Sequence, residues 1–281
     1  MDAIESTLEE TETPLCRAML YQTLSLGFLF PSDETLSRLR ATGAGDILSE
    51  AAAALDPENE YRLPALAAAV AQSQDLHDHD VLTNNFTVLF GHTARGVVPP
   101  YETEYGKDAP FLQPQELSDI GGFFGAFGLA HDAACRERVD HISCECEFMS
   151  FLCVKETYAF EEGDEETLEE TRNAQRLFLR DHLGRFAATF GRKLAREDPL
   201  GFYGRLGNLC VSFMLAECRR LNMPEALDNL PLRPPATDGA PTVCGTADCP
   251  ELDTAQAPFL ETGEKISFSS KKEYRIGEHG E

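Results

Sequence analysis

Apolar residues along this chain recur at spacings of three and four, and no stretch alternates with period two for long enough to specify a strand. The first such region, residues 14–30, reads LCRAMLYQTLSLGFLF after its proline and stops at Pro31. Ser32 and Asp33 then offer an N-cap for a helix carrying Leu36 and Leu39. Residues 46–55 and 61–76 are rich in Ala and Leu, which favours helix, and DPENEY separates them. Leu82, Phe86, Leu89 and Phe90 share one face of a further helix that Gly91 can close. Residues 91–113, with Gly96, Pro99, Pro100, Gly106 and Pro110, form a long irregular connection, and connections of that length are usually functional or disordered.

In the second half, Pro114 suits a first helical position ahead of Leu117, Ile120, Phe124 and Phe127, and Gly128 can end that helix. Asp140 is placed to cap a helix running from about His141 to Phe160. The acidic stretch EEGDEETLEE then leads into a long helix whose Arg172, Arg176 and Arg180 recur every four residues, acids early and bases late as the helix dipole favours. Leu179, Leu183, Phe186, Phe190 and Leu194 mark the buried face of that same helix; Phe202, Leu206, Leu209, Phe213 and Leu215 mark the last one. The pattern predicts an all-α chain of roughly eight to ten helices, one bundle-like domain over residues 14–224. Residues 1–13 carry five acids and no base and read as a flexible acidic start. Residues 225–281, which include PLRPPATDGAP, lack apolar periodicity and read as a linker and a largely disordered tail.

Composition narrows the function classes. The 281 residues allow one or two domains at roughly 150 residues each. Against 24 Lys and Arg stand 48 Asp and Glu, a net charge of −24. That field repels phosphate backbones and anionic lipid, so neither nucleic acid nor a membrane surface is expected as a partner, and it favours a cationic one. No apolar run reaches the roughly 18 residues that a membrane span requires. The acidic start is the reverse of a signal peptide's basic n-region, so the expected location is the cytoplasm. Of nine cysteines, seven (Cys16, Cys135, Cys144, Cys146, Cys153, Cys210 and Cys218) lie in apolar, helix-like segments, which fits reduced thiols rather than a disulfide framework.

Explicit chemistry is scarce. His77-Asp78-His79-Asp80 could ligate a divalent metal, but it stands at a polar junction without a third ligand and reads as solvated loop. Cys144 and Cys146 on a helix point about 200° apart and cannot chelate together; with Cys153 they read as core. Cys244 and Cys249 could form a disulfide or supply half of a zinc or iron–sulfur site, and two ligands alone do not close one. There is no P-loop, dinucleotide-binding Gly motif, nucleophile elbow or helical HExxH, and GGFFGAFG (121–128) is a Phe-filled helical segment rather than a phosphate cradle. The residues declare no catalytic constellation and no cofactor site.

Three stretches resemble the TorD/DmsD/NarJ family of redox-enzyme maturation chaperones. Phe86-Thr-Val-Leu89-Phe90-Gly91 is similar to that family's aromatic-x-x-Leu-Phe-x-Gly helix end, and Pro99-Pro100-Tyr101-Glu102-Thr-Glu104-Tyr105 to its PPYES-x-Y loop. Glu137-Arg-Val-Asp140-His141, followed by a helix with Glu145, Glu147, Phe148 and Met149, resembles its E-x-P-D-H hinge and xxELEFM helix; Val139 stands where proline is usual, which leaves the hinge less stiff. LSLGFLFPSDETL also resembles the family's first helix junction, and the resemblance spans about residues 14–222.

The resemblance implies a non-enzymatic, all-helical cytoplasmic chaperone for the precursor of a molybdopterin-containing oxidoreductase, holding its twin-arginine signal peptide until cofactor insertion. Such a peptide presents adjacent guanidinium groups and then an apolar stretch, so its receptor needs carboxylates beside an apolar groove. Glu102, Glu104, Glu137 and Asp140 could supply charge, and Phe86, Leu89, Phe90, Tyr101 and Tyr105 groove, with the tyrosines expected to be exposed in their polar loop; His141 is assigned an orienting role. Two alternatives stay open: an assembly chaperone of the NarJ branch acting on the enzyme body, and a metal-dependent helical enzyme using His77, His79, His141 and nearby carboxylates.

Overall fold

A helix with apolar residues on every side has no face to give to water, and two such helices fill the middle of the molecule. They are α1 (Ala3–Phe28), which buries Leu20, Tyr21, Leu24 and Phe28, and α7 (Ile142–Glu162), which buries Cys146, Phe148, Met149 and Leu152. The computed structural model describes residues 3–42, 46–73, 78–91, 95–107, 113–130, 137–223 and 230–234, with the side chains of 3–10 and 42 left aside. Among these residues there are ten α-helices and no strand, as the apolar spacing predicts. The others are α2 (Asp33–Thr42), α3 (Asp46–Leu55), α4 (Leu63–Ala71), α5 (His79–Phe90), α6 (Gln113–Ala126), α8 (Glu165–Asp181), α9 (Leu183–Glu197) and α10 (Phe202–Arg220).

α1 lies along α7, and α9 lies along α10. α2 and α3 pack on α1, α4 on α3 and α10, and α8 bridges α7 and α9. Ser32 caps α2 by accepting from Thr35 N at 3.1 Å, and Asp164 caps α8 by accepting from Thr167 N at 3.0 Å. At the centre, Arg17 of α1 grips Glu217 of α10 through Nε and Nη2 (2.8–3.0 Å) and reaches Glu156 of α7 at 3.2 Å. Tyr21 donates its hydroxyl to the same Glu217 at 2.9 Å. All four side chains are buried, so a pair broken here would strand an uncompensated charge, the costly way to lose a buried ion pair.

Several expectations need correction. α1 begins at Ala3, so Pro14 lies inside it rather than opening it, and Thr157 of α7 donates its hydroxyl to Thr11 O at 3.5 Å. The single long helix after Gly163 is two: the chain breaks at His182 (φ −127°, ψ −99°), between α8 and α9. At this break a Cβ on Gly184 would sit 2.3 Å from Leu179 O. Residues 230–234, read as linker, are docked on the domain, with Arg233 only 6% exposed. Among the described residues no disulfide forms; Cys146, Cys153 and Cys210 are fully buried, and burial pushes the Cys153 and Cys210 thiols up to about 12. Cys135, Cys244, Cys249 and His77 lie outside the described residues.

Candidate functional site

The long connection between α5 and α6 is pinned rather than loose. Val98 N donates to Leu89 O at 2.8 Å, which satisfies a carbonyl of the last turn of α5. Further on, Glu102 N donates to Asp140 O (2.9 Å) and Ile142 N to Pro100 O (2.8 Å), an antiparallel bridge of Tyr101 with His141. Residues Glu102–Glu104 close a 3-10 turn over this joint.

Asp140, expected to cap α7, does something else. It is wholly buried and accepts from Thr103 Oγ1 at 2.7 Å, Thr103 N at 3.3 Å, Arg138 Nε at 2.9 Å and Arg138 Nη2 at 2.8 Å, so it ties the hinge to the loop. The cap is His141, whose Nδ1 accepts from Ser143 N at 3.1 Å and lies 2.6 Å from Ser143 Oγ. The neutral ring then carries its proton on Nε2, which faces Glu137 Oε2 at 3.6 Å. Burial pulls this imidazole down to about 4, against the pull of the Glu137 and Asp140 carboxylates. Tyr101 stands edge-on to His141, donates to Glu137 Oε2 at 2.9 Å and carries the Arg138 guanidinium 4.4 Å over its ring.

Beneath the turn lies a group of acids that the sequence pattern did not distinguish from surface charge. Glu102 is 3% exposed; burial raises its pKa, and His182 Nδ1 (3.1 Å) and Arg185 Nη1 (3.4 Å) oppose that rise. His182, at the break between α8 and α9, also places Nε2 3.3 Å from Asp119 Oδ2. One turn into α7, Glu145 is fully buried with no hydrogen-bond partner on either oxygen. Burial, and then the charges of Glu102 and Asp140, hold its carboxyl well above the usual range. In front of Glu102 opens a cavity of about 730 Å³ between α6 and the α8–α9 joint, lined by Gln115, Glu116, Ser118, Asp119, Asp181, His182 and Arg185. Of its three carboxylates, Asp181 accepts from Arg180 Nε at 2.7 Å, Glu116 pairs with Arg233 at 2.8 Å and Asp119 faces His182 at 3.3 Å, so the wall is one that receives guanidinium groups.

The residues expected to bind a client peptide divide. Phe86, Leu89 and Phe90 are core; Phe86 and Phe90 pack edge-on at 4.7 Å, and Phe90 meets Tyr203 at 5.3 Å. Tyr105, expected to be exposed, is buried, with its hydroxyl donating to Pro99 O at 2.9 Å; the loop's pinning turns this ring inward against Phe186. Asp140, His141 and Glu102 are buried as well, while Tyr101, Glu104 and Glu137 keep part of their surface in water. Glu116, Asp119, His182 and Arg185 escaped the sequence reading, because the first two lie on α6 and the others at the α8–α9 joint, more than 60 positions apart, and only the tertiary fold gathers them. Asp78 caps α5, with His79 as its first residue, so that pair forms a helix start. Among the described residues no group of three or more His, Cys, Asp or Glu is arranged to hold a metal ion. No helix there is long and apolar enough to cross a membrane.

A family model described as "Nitrate reductase delta subunit" matches residues 52–192, half of the chain, including the pinned loop, the hinge and the α8–α9 joint. The chain belongs to this family. Its similarity extends to curated relatives. The chaperone protein TorD of Vibrio parahaemolyticus is 26% identical over 160 residues, 56% of this chain and 73% of that protein. The chaperone protein TorD of Aliivibrio fischeri is 24% identical over 73% of this chain and 94% of its own length. The perchlorate reductase assembly chaperone protein of Dechloromonas aromatica is 28% identical over 64% of this chain and 78% of its own. These relatives are named as chaperones, in keeping with the resemblance drawn from the loop and hinge motifs.

Proposed function

We propose that this chain is a maturation chaperone for a molybdopterin-containing oxidoreductase, and that it acts in the cytoplasm by binding the precursor's twin-arginine signal peptide. The observation that carries the reading is the acid-lined cavity beside the pinned loop, with Glu116, Asp119 and Asp181 on its wall and Glu102 behind His182. Guanidinium groups are planar five-donor forks that carboxylates accept in pairs, and adjacent arginines on a peptide need several carboxylates close together. The overall charge of −24 adds attraction at a distance. Tyr101 and Glu137, partly exposed and hydrogen-bonded to each other at 2.9 Å, offer a second polar surface at the hinge.

The test is titration calorimetry of the purified chain with the client's signal peptide at two ionic strengths, alongside a peptide whose two arginines are alanine. Hydrogen bonds to charged groups contribute about 1.5–3 kcal/mol each, so losing both arginines is expected to weaken binding at least tenfold. Screening beyond about 10 Å at 0.1 M salt should weaken it further. Affinity indifferent to both changes would refute the electrostatic basis. The family description and the relative named for perchlorate reductase assembly favour a second reading, in which the chaperone grips the body of its enzyme. A client that lacks its signal peptide and is still retained by the chain would establish that mode.

A further inference from the structure

The docked segment 230–234, Leu-Pro-Leu-Arg-Pro, shows how this surface receives an arginine. It runs antiparallel to the pinned loop, bridging Leu232 to Tyr105, with Arg233 N donating to Glu104 O and Gly106 N donating to Pro231 O, both at 2.8 Å. The Arg233 guanidinium makes a bidentate pair with Glu116, Nη1 to Oε2 and Nη2 to Oε1, both at 2.8 Å. It also donates from Nη1 to Thr103 O at 2.8 Å and from Nε to Lys107 O at 3.1 Å. Gly106 has φ +121°, where L side chains are rarely found, and a Cβ there would stand 3.2 Å from Arg233 Nη2. The backbone bend and the room for the guanidinium therefore depend on the same glycine.

We propose that this is a binding site for an arginine of the client peptide, occupied in the free chain by Arg233. The inference rests on the reading of the chain as a binder of an arginine-bearing peptide. Everything that holds the guanidinium belongs to the body of the domain: one carboxylate on α6 and two loop carbonyls. From the docked segment the site takes one arginine side chain, the N–H groups of Leu230 and Arg233 and the C=O groups of Pro231 and Arg233, the last accepting from Arg95 Nη1 at 2.8 Å. Any extended peptide carrying an arginine presents the same groups, and adding a strand at an open edge while a side-chain pocket sets specificity is a general mode of peptide capture. Glu116 also lines the acid-rich cavity, so a client seated in the cradle has the cavity's remaining carboxylates within reach.

Occupancy by Arg233 makes the client compete with a group that is tethered to the end of α10, and short tethers give effective concentrations in the millimolar range. A site open one part in ten reports an affinity about tenfold weaker than its own. Arg233→Ala in the full chain is therefore expected to bind the client's signal peptide about tenfold more tightly than wild type, and Glu116→Gln added to it should abolish the gain. Hydrogen exchange on the unaltered chain supplies a readout independent of how the variants fold. With saturating peptide the Arg233 amide should lose protection while the Gly106 amide, handed from Pro231 O to the client, keeps it. An Arg233 amide still protected at saturation, or an Arg233→Ala chain that binds no more tightly than wild type, would overturn the cradle and leave the peptide-binding reading standing. If wild type and variant both ignore the peptide, that reading fails and the cradle falls with it.

Discussion

Asp140→Ala removes a wholly buried carboxylate that holds four hydrogen bonds, and the structure permits its cost to be worked out bond by bond. Two come from Arg138, whose side chain is 48% exposed; the guanidinium regains water when the partner is lost, so that half is discounted to about 0–1 kcal/mol. The other two come from Thr103, which is 1% exposed. Its N–H is stranded in the interior, at about 1–3 kcal/mol for an unsatisfied buried group. Its hydroxyl keeps only Arg138 Nη2, itself a donor, at 3.0 Å. The sum is about 3 kcal/mol, or roughly 6–12 °C in the melting temperature of a domain of this size. A helix cap alone would cost about 1 kcal/mol. Chemical denaturation of wild type, Asp140→Ala, Thr103→Val and the double variant closes a cycle in which the two changes should be strongly non-additive. Additive losses, or a single-variant cost near that of a cap, would refute the assignment of Asp140 as the tie between hinge and loop.

Other outcomes follow from the buried titratable groups and the tail. The His141 imidazole has an ordinary value of 6.5 and a folded value of about 4, so over that interval the unfolded chain binds more protons and stability falls as pH drops. At roughly 1.4 kcal/mol per pH unit the fall reaches about 3 kcal/mol, and His141→Asn, which keeps an acceptor for the cap, should flatten it in melts between pH 4 and 6.5. Glu145 works with the opposite sign: its raised folded value confers stability below the ordinary carboxylate pKa that is lost as pH rises through the folded one. Glu145→Gln should accordingly melt like wild type near pH 4 and gain on wild type as pH rises above the ordinary carboxylate value; parallel curves would show that the folded carboxyl ionises at that ordinary value. Deleting residues 236–281 should leave the melting temperature within a few degrees of wild type, because their sequence lacks the apolar periodicity of a packed element.

Helix content was legible because burial imposes a 3.6-residue period on apolar positions, and ten helices answer to it. The break at His182 was not, because Leu179, Leu183, Phe186, Phe190 and Leu194 keep helical spacing straight across it; their period records that each is buried and is silent about a change of axis. The cap of α7 was misplaced by one residue for a related reason. Asp is the better capping residue by intrinsic preference, but Asp140 is claimed by Thr103, 37 positions away, and such a partner leaves no local trace. The loop and hinge motifs give no view of which side chains face water, so the polar loop predicts an exposed Tyr105 where the structure buries it beside Glu102. Residues 230–234 read as linker because Leu230 and Leu232, which pack against the core, are too few to set a period, and the hydrogen bonds and guanidinium that anchor the segment leave no apolar signal.

The grip of Arg17 on Glu217 spans 200 positions of sequence, and it has a consequence for how the chain comes into being. α1 is made first, yet its packing partner α7 and the carboxylate of α10 that neutralises its buried arginine are made much later. At synthesis rates of roughly 5–20 residues per second, the interval from Arg17 to Glu217 is about 10–40 s. Until α7 emerges with Glu156, 139 positions after Arg17, the face of α1 that α2 and α3 leave uncovered and the Arg17 guanidinium lack their native partners, and Glu217 completes the grip only at the end. The nascent polypeptide therefore cannot settle its first helix until nearly the whole domain has left the ribosome, and a truncated product ending before α10 should be retained by general chaperones rather than fold.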